Sequence, residues 1–341
     1  MIKDDKIRVG ISLGDINGIG IEVILKTFED TRMLDFCIPV LFGSTKTVSY
    51  HKNALHLNNN IQGITNIKNL VPNRINLLNI WQETVNINLG EASAEAGRYA
   101  YLSLKKATEA LKNNDIDVLV TAPINKKTIQ SEEFKFKGHT EYLESELEGE
   151  SLMILMDGNL RMGLLSTHVP LKEVANFVTP DLLEKKLTIL NQTLKQDFNI
   201  GKPKIAVLGL NPHCGDNGVI GTEENEIIIP TLEKIQEKGV LAFGPYPADS
   251  FFGNKTYQKF DAILAMYHDQ GLAPFKALSF GKGVNYTAGL SEIRTSPDHG
   301  TAFDIAGKGT ADFSSFKQAV FSAIEIFRKR QSNLELLENP L

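Results

Sequence analysis

Cysteine is almost absent. Cys37 and Cys214 are the two in 341 residues, and neither sits in a Cys-x-x-Cys pair. A disulfide framework is therefore excluded, and a reducing, cytoplasmic compartment is the simpler expectation. There is no run of about 18 uncharged apolar residues to suit a membrane-spanning helix. The opening MIKDDKIRVG carries charge where a secretion signal needs an apolar stretch. Surplus basic charge is also missing. Lys and Arg number 36 against 41 Asp and Glu, a formal net charge of -5, so no nucleic-acid partner is expected. The G-x-G-x-x-G fingerprint of dinucleotide binding does not occur, and there is no internal repeat or low-complexity segment.

What remains is a chain with enough apolar residues for a large core, and long enough that two lobes are expected rather than one. Ile7 to Leu13 reads as a strand, Gly14 to Gly20 as a glycine loop and Ile21 to Phe28 as a helix, the opening of an α/β layer fold. That loop suits either a structural turn or, through the helix start behind it, an anion. Further strands are predicted at Cys37 to Phe42, Asp117 to Thr121, Lys204 to Leu208 and Ala262 to Met266. Helices are predicted at Ser93 to Asn113, Asp181 to Gln196, Glu223 to Lys238 and Phe316 to Arg330, with Thr301 to Ala306 opening the closing helical region. Residues 52 to 80 are Asn-rich and read as short strands and loops. Gly158-Asn159 between apolar runs signals a hairpin, hence a mixed sheet or a dimerisation arm.

The polar residues of interest fall where strands end, which is where open α/β sheets place ligands. His168, His213 and His268 each follow an apolar run, and His139 sits in Gly138-His139-Thr140-Glu141. Imidazole is the commonest ligand for zinc-like metals, but spacings of 45 and 55 residues leave hydrogen-bonded loop histidines as an open alternative. Residues 268 to 276 read as a loop shaped by Gly271 and Pro274, with His268 and Asp269 near Lys276. Downstream, Arg294 to Gly300 packs a guanidinium, two hydroxyls, a carboxylate and an imidazole into seven residues. Arg and Lys suit phosphate or carboxylate, although a salt bridge is the plainer role for Arg294.

Several longer motifs carry a family resemblance. They are Val120-Thr121-Ala122-Pro123-Ile124-Asn125-Lys126, Gly138-His139-Thr140-Glu141, Thr167-His168-Val169-Pro170 and Gly209-Leu210-Asn211-Pro212-His213. They continue in Gly244-Pro245-Tyr246-Pro247-Ala248-Asp249, Met266-Tyr267-His268-Asp269-Gln270-Gly271 and Ile293 to Gly300. Across nearly its whole length the chain resembles the 4-hydroxythreonine-4-phosphate dehydrogenase family of pyridoxal phosphate biosynthesis. The resemblance implies a two-lobed α/β/α fold with mixed sheets, like isocitrate and isopropylmalate dehydrogenases. The expected lobes are 1–130 plus 295–341, and 131–294, the second carrying much of a homodimer interface with shared active sites. It implies a divalent metal on His168, His213 and His268, with His268 offered by the partner subunit. The metal would be zinc, cobalt, manganese or magnesium, neutral nitrogens suiting magnesium least. His139, Thr140, Lys276, Asn285 and Arg294 match substrate positions. Lys276 and Asp249 are the candidates for catalytic roles, and Pro274, Asn285 and Asp298 for the NAD or NADP site. The family's first glycine loop carries an acid and then a proline; here Asp15 keeps the acid, and Ile16-Asn17 replaces the stiffer residue.

The implied reaction is oxidation of 4-(phosphooxy)-L-threonine to 2-amino-3-oxo-4-(phosphooxy)butanoate, which decarboxylates to 3-amino-2-oxopropyl phosphate. The rivals are a sister dehydrogenase acting on 4-phosphothreonate or 4-phosphoerythronate, a metal-dependent hydrolase, and a non-catalytic binding protein.

Overall fold

The computed structural model describes residues 6–338, with side chains described through residue 336. The charged stretch at residues 1–5 lies outside the described residues. The strands are β1 (Ile7–Ser12), β2 (Cys37–Gly43), β3 (Ile61–Ile64), β4 (Ile75–Asn79), β5 (Val118–Thr121), β6 (Gly149–Asp157), β7 (Leu160–Leu164), β8 (Lys204–Leu208), β9 (Leu241–Tyr246), β10 (Ala262–Ala265), β11 (Val284–Leu290) and β12 (Arg294–Pro297). The chain divides into two compact units, Met1–Gly149 with Leu290–Phe327, and Glu150–Gly289 with Arg328–Leu341. These breaks differ from the expected lobe boundaries at 130 and 294. Residues 131–149 and 290–294 stay with the first unit, because the core formed around Phe42, Leu104 and Leu119 extends to Phe134, Tyr142, Leu143 and Leu290.

In the first unit the strand order is β3-β4-β2-β1-β5-β12, and the paired strands run parallel. β1 and β5 are almost wholly buried, as expected of parallel strands covered on both faces. The helix Ala94–Lys112 starts where the Ser93 hydroxyl accepts the Ala96 N–H at 3.1 Å, and it buries Ala100, Leu104, Ala107 and Leu111 on one face.

The glycine loop after β1 proves to be a structural turn. Every residue from Leu13 to Gly20 is buried. The Asp15 N–H donates to the Pro123 carbonyl at 2.9 Å, and that of Ile19 donates to the Thr301 carbonyl at 3.0 Å. The Asn17 N–H donates to Oδ1 of Asp15, and Asn17 Nδ2 donates to the Glu91 carbonyl, each at 2.9 Å. Gly14 has φ +67°, and a Cβ there would lie 2.3 Å from the Pro123 oxygen, so only glycine fits. This hydrogen-bond network supplies the stiffness that a proline would otherwise give. Burial raises the Asp15 carboxyl's pKa, against the opposing Asn17 N–H and Thr128 hydroxyl.

The imidazole of His51 makes a hydrogen bond to the Ile16 backbone, and its Nε2 has no partner among the described residues. His51 is buried in the helix Thr45–Ala54, which sequence reading missed, and burial pushes its pKa down to about 4. An unfolded histidine titrates near 6.5, so between that pH and about 4 the unfolded chain binds a proton that the folded chain does not. The contribution is fully present above the unfolded value and is lost as pH falls through this window. The loss amounts to on the order of 2 kcal/mol by pH 5. Urea unfolding of the native chain and His51→Gln between pH 7.5 and 5 should show a shallower loss in the variant; equal slopes would refute the assignment.

The second unit has the order β11-β6-β7-β10-β8-β9. β6 and β7 form the predicted hairpin, antiparallel with Ile154 opposite Gly163. β7, β10, β8 and β9 pair in parallel, so this sheet is mixed. Its core holds Leu155, Met162, Leu164, Leu208, Phe251, Ile263 and Phe275. The predicted loop at 268 to 276 is instead a helix, His268–Ser279. Gly271 and Pro274 suggested a loop. Gly271, however, is a packing requirement: a Cβ there would lie 2.8 Å from Leu164 and 3.0 Å from Met162. Leu272 and Phe275, three residues apart, bury the same helix face. The closing helix Ser314–Glu338 carries Arg330, whose Nε donates to Asp197 Oδ1 at 2.5 Å. The Tyr286 hydroxyl donates to Asp197 Oδ2 at 2.5 Å and accepts from Arg330 Nη2 at 3.0 Å.

Candidate active site

Each unit carries one cluster of the predicted site residues. In the first unit β5 and β12 lie side by side, with Arg294 opposite Leu119 and Thr295 opposite Val120. Arg294 is only 2% exposed. Its Nε and Nη2 donate to the Thr121 hydroxyl oxygen at 3.1 and 2.5 Å. Burial pushes the guanidinium's pKa down to about 9, and the nearby Glu141 carboxylate opposes that shift. His139 opens the helix His139–Glu146, and its buried Nε2 has no hydrogen-bond partner among the described residues. Burial, then the charges of Arg294 and Lys126, hold this imidazole well below its usual pKa, so it is neutral at pH 7. Thr140 follows, half-buried. A buried guanidinium and a second cation beside a neutral imidazole form a seat for an anion. Asp298 also belongs to this unit, its N–H donating to the Ser315 hydroxyl at 3.0 Å.

In the second unit the chain beyond β7 is stitched to the chain beyond β10. The Leu165 N–H donates to the Ala265 carbonyl, while the Ser166 N–H and hydroxyl both donate to the Met266 carbonyl. Two residues past each of Ser166 and Met266 stand His168 and His268, and their ring centroids are 6.1 Å apart. The two rings thus stand side by side at the ends of neighbouring strands. Asp269 Oδ1 lies 2.7 Å from His268 Nδ1, the carboxylate contact that commonly orients a metal-binding imidazole. Gln270 ties in a third strand end, with its Oε1 accepting the Met266 N–H and its Nε2 donating to the Gly209 carbonyl.

Beyond Gly209 the backbone turns left-handed from His213 through Asn217, with non-glycine φ values of 42° to 55°. Such residues cost about 1 kcal/mol or more each, so the turn needs support. Glu224, 1% exposed, provides it: Oε1 accepts the Asn211 N–H at 2.7 Å, and Oε2 accepts Asn211 Nδ2 at 2.9 Å. Glu224 opens a π-helical turn, Glu224–Ile228.

Two imidazoles sharing one tetrahedral ion would have centroids about 5 Å apart, so the His168–His268 pair is within roughly 1 Å of that arrangement. Among the described residues, no group of three His, Cys, Asp or Glu side chains gathers for a metal ion. The structure brings the rings of His168 and His268 together, and His213 lies on the left-handed turn beyond β8. Lys276 lies exposed on the helix begun by His268, with Pro274 half-buried in it. Asn285 sits in β11 with a buried Oδ1 that has no hydrogen-bond partner among the described residues, and Asp249 is exposed in the helix Ala248–Gly253. Thr121, Lys126 and Gln270 stood in the resemblance motifs with no site role assigned to them, and Glu224 was not singled out. The available signal was a polar residue at the end of an apolar strand run, as with Thr121 after Val118–Val120.

A family model for the pyridoxal phosphate biosynthetic protein PdxA matches residues 35–323. The chain belongs to this family. It is 52% identical, over 342 residues, to the 4-hydroxythreonine-4-phosphate dehydrogenase of Bacteroides thetaiotaomicron, covering 100% of this chain and 94% of that protein. Among solved structures it is similar to the 4-hydroxythreonine-4-phosphate dehydrogenase of Klebsiella pneumoniae, with a TM-score of 0.81, 31% identity, and coverage of 94% of this chain and 99% of that one. Isocitrate dehydrogenase from Methylococcus capsulatus has a TM-score of 0.50 at 12% identity, covering 97% of this chain and 89% of the other. That likeness bears on fold alone. The expected mixed α/β architecture of the isocitrate dehydrogenase type is thus borne out for this PdxA family member.

Proposed function

We propose that this protein is a 4-hydroxythreonine-4-phosphate dehydrogenase. It oxidises the C3 alcohol of 4-(phosphooxy)-L-threonine with NAD or NADP, in pyridoxine 5'-phosphate biosynthesis. The observation that carries the reading is end-to-end identity with a relative bearing that name, at 52%. The buried Arg294 beside a neutral His139 supports it, since the substrate is anionic.

When bound, the nicotinamide accepts hydride and a divalent ion acts as Lewis acid toward the alcohol oxygen. His168 and His268 would hold the ion, with His213 as the third ligand and Asp269 fixing the His268 ring. Arg294 and His139 bind an anionic substrate group, with Thr140 beside them. Lys276 and Asn285 bind substrate polar groups; Lys276 and Asp249 serve proton transfer or charge stabilisation. Pro274, Asn285 and Asp298 are the residues that would hold the nicotinamide cofactor. The resulting β-keto acid loses CO2, its bonding electron pair passing into the ketone, and the enol then takes a proton to give 3-amino-2-oxopropyl phosphate. We place the protein in the cytoplasm as a homodimer with shared active sites. Its free cysteines fit a reducing compartment, and among the described residues no helix is long and apolar enough to cross a membrane.

The test is turnover of purified protein with a panel of phosphorylated hydroxy acids, both cofactors and added metals. Reduced-nicotinamide absorbance should rise fastest with 4-(phosphooxy)-L-threonine, ahead of 4-phosphothreonate and 4-phosphoerythronate, and chelation should abolish it. Phosphate release without cofactor reduction would instead indicate a hydrolase.

A further inference from the structure

Thr121 ends β5 and is fully buried, and Arg294 begins the neighbouring strand β12. Arg294 stands opposite Leu119, and side chains two apart on a strand share a face, so Thr121 lies diagonally beside Arg294 on one face. This register brings the Thr121 oxygen to 3.1 Å from Nε and 2.5 Å from Nη2. One oxygen thus takes both N–H groups of the guanidinium's side edge. Holding two points of a planar group fixes rotation about the Cδ–Nε bond. The end edge, Nη1 with Nη2, is then set in one direction, and that edge matches two oxygens of a phosphate or carboxylate.

We propose that Thr121 is a positioning residue for substrate binding, its hydroxyl aiming the Arg294 guanidinium at an anionic group of the phosphorylated hydroxy acid. The inference rests on the proposed reading of Arg294 as an anion-binding residue. It assigns Thr121 an energetic role that its place in a buried strand conceals, since threonine there also serves as an ordinary β-branched strand former.

Two near-isosteric variants separate aiming from packing. Thr121→Val keeps the volume and branching but removes the acceptor, whereas Thr121→Ser keeps the acceptor and removes a methyl. Aiming requires Thr121→Val to raise KM for the phosphorylated substrate about 10-fold or more, with kcat within about 2-fold of the native chain. Thr121→Ser should stay within about 3-fold on both. A purely structural residue gives the reverse ranking or an equal loss in both, and either result overturns the proposal. If Thr121→Val does not fold, Thr121→Cys, whose sulfur is a weak acceptor of similar size, replaces it with the same expected rise in KM. Arg294→Ala is measured alongside. A large loss in Arg294→Ala with native KM in Thr121→Val removes the aiming role alone. Native KM in Arg294→Ala removes the anion-binding reading itself.

Discussion

Replacing Arg294 by alanine is expected to lower kcat/KM for the phosphorylated substrate by roughly 10²- to 10³-fold, about 3–4 kcal/mol of transition-state binding. The size follows from burial. The guanidinium is 2% exposed, so its charge acts on an anion with little screening by water, and no solvent fills its place as well. Lysine should recover little, because a single ammonium cannot both satisfy Thr121 and grip two oxygens. His139→Ala should cost less, since the imidazole is neutral and gives at most one ordinary hydrogen bond. The decisive comparison uses a hydroxy acid lacking the phosphate. There Arg294→Ala should lose much less, and equal losses on both substrates would mean that Arg294 does not read the phosphate.

The largest stability effect is expected at Arg330. Its guanidinium meets the Asp197 carboxylate at 2.5 Å, with Asp197 1% exposed and Tyr286 completely buried beside it. Arg330→Ala leaves a buried carboxylate whose remaining side-chain partner is a phenol, and should destabilise the protein by about 3–5 kcal/mol. The same carboxylate's charge, after burial itself, holds the Tyr286 phenol well above its usual pKa, so the hydroxyl remains a donor. Changing Asp197 to asparagine and Arg330 to methionine together should recover part of the loss, because no unpaired charge then stays inside. Urea midpoints of the two variants measure this. A loss below about 1 kcal/mol for Arg330→Ala would show that water reaches Asp197.

The elements legible in the sequence were those whose local signals agree with their burial. β5, β8 and β10 are built on short apolar runs and β1 on one interrupted by Arg8, the hairpin turns at Gly158-Asn159, and Ser93 marks the start of its helix. The helix His268–Ser279 was hidden because Gly271 and Pro274 oppose helix locally, and tertiary packing against Leu164 and Met162 overrides them. β9, with its Gly-Pro pair and register shift, gives no alternating pattern to read. The metal-type histidines were visible as residues but not as a pair. His168 and His268 are a hundred positions apart, and the pairing of β7 with β10, continued in the bonds joining Ser166 to Met266, brings their rings together. Glu224 and Thr121 were opaque for a related reason. Each is a common residue type whose role lies in what it is bonded to within the fold.

The first unit is assembled from two stretches of chain separated by Glu150–Gly289, and this matters while the protein is being made. β5 leaves the ribosome early, but β12, which must lie along it, follows only after the intervening stretch has been translated. At ordinary elongation rates the delay is on the order of ten seconds, long compared with local helix formation. Throughout that wait the edge of β5 that will receive Arg294 and Thr295 has no neighbour, and an open parallel edge is a template for pairing with other chains. Nascent chains halted near residue 289 would therefore be expected to engage holding chaperones or to aggregate, whereas release beyond residue 327 permits closure of the sheet.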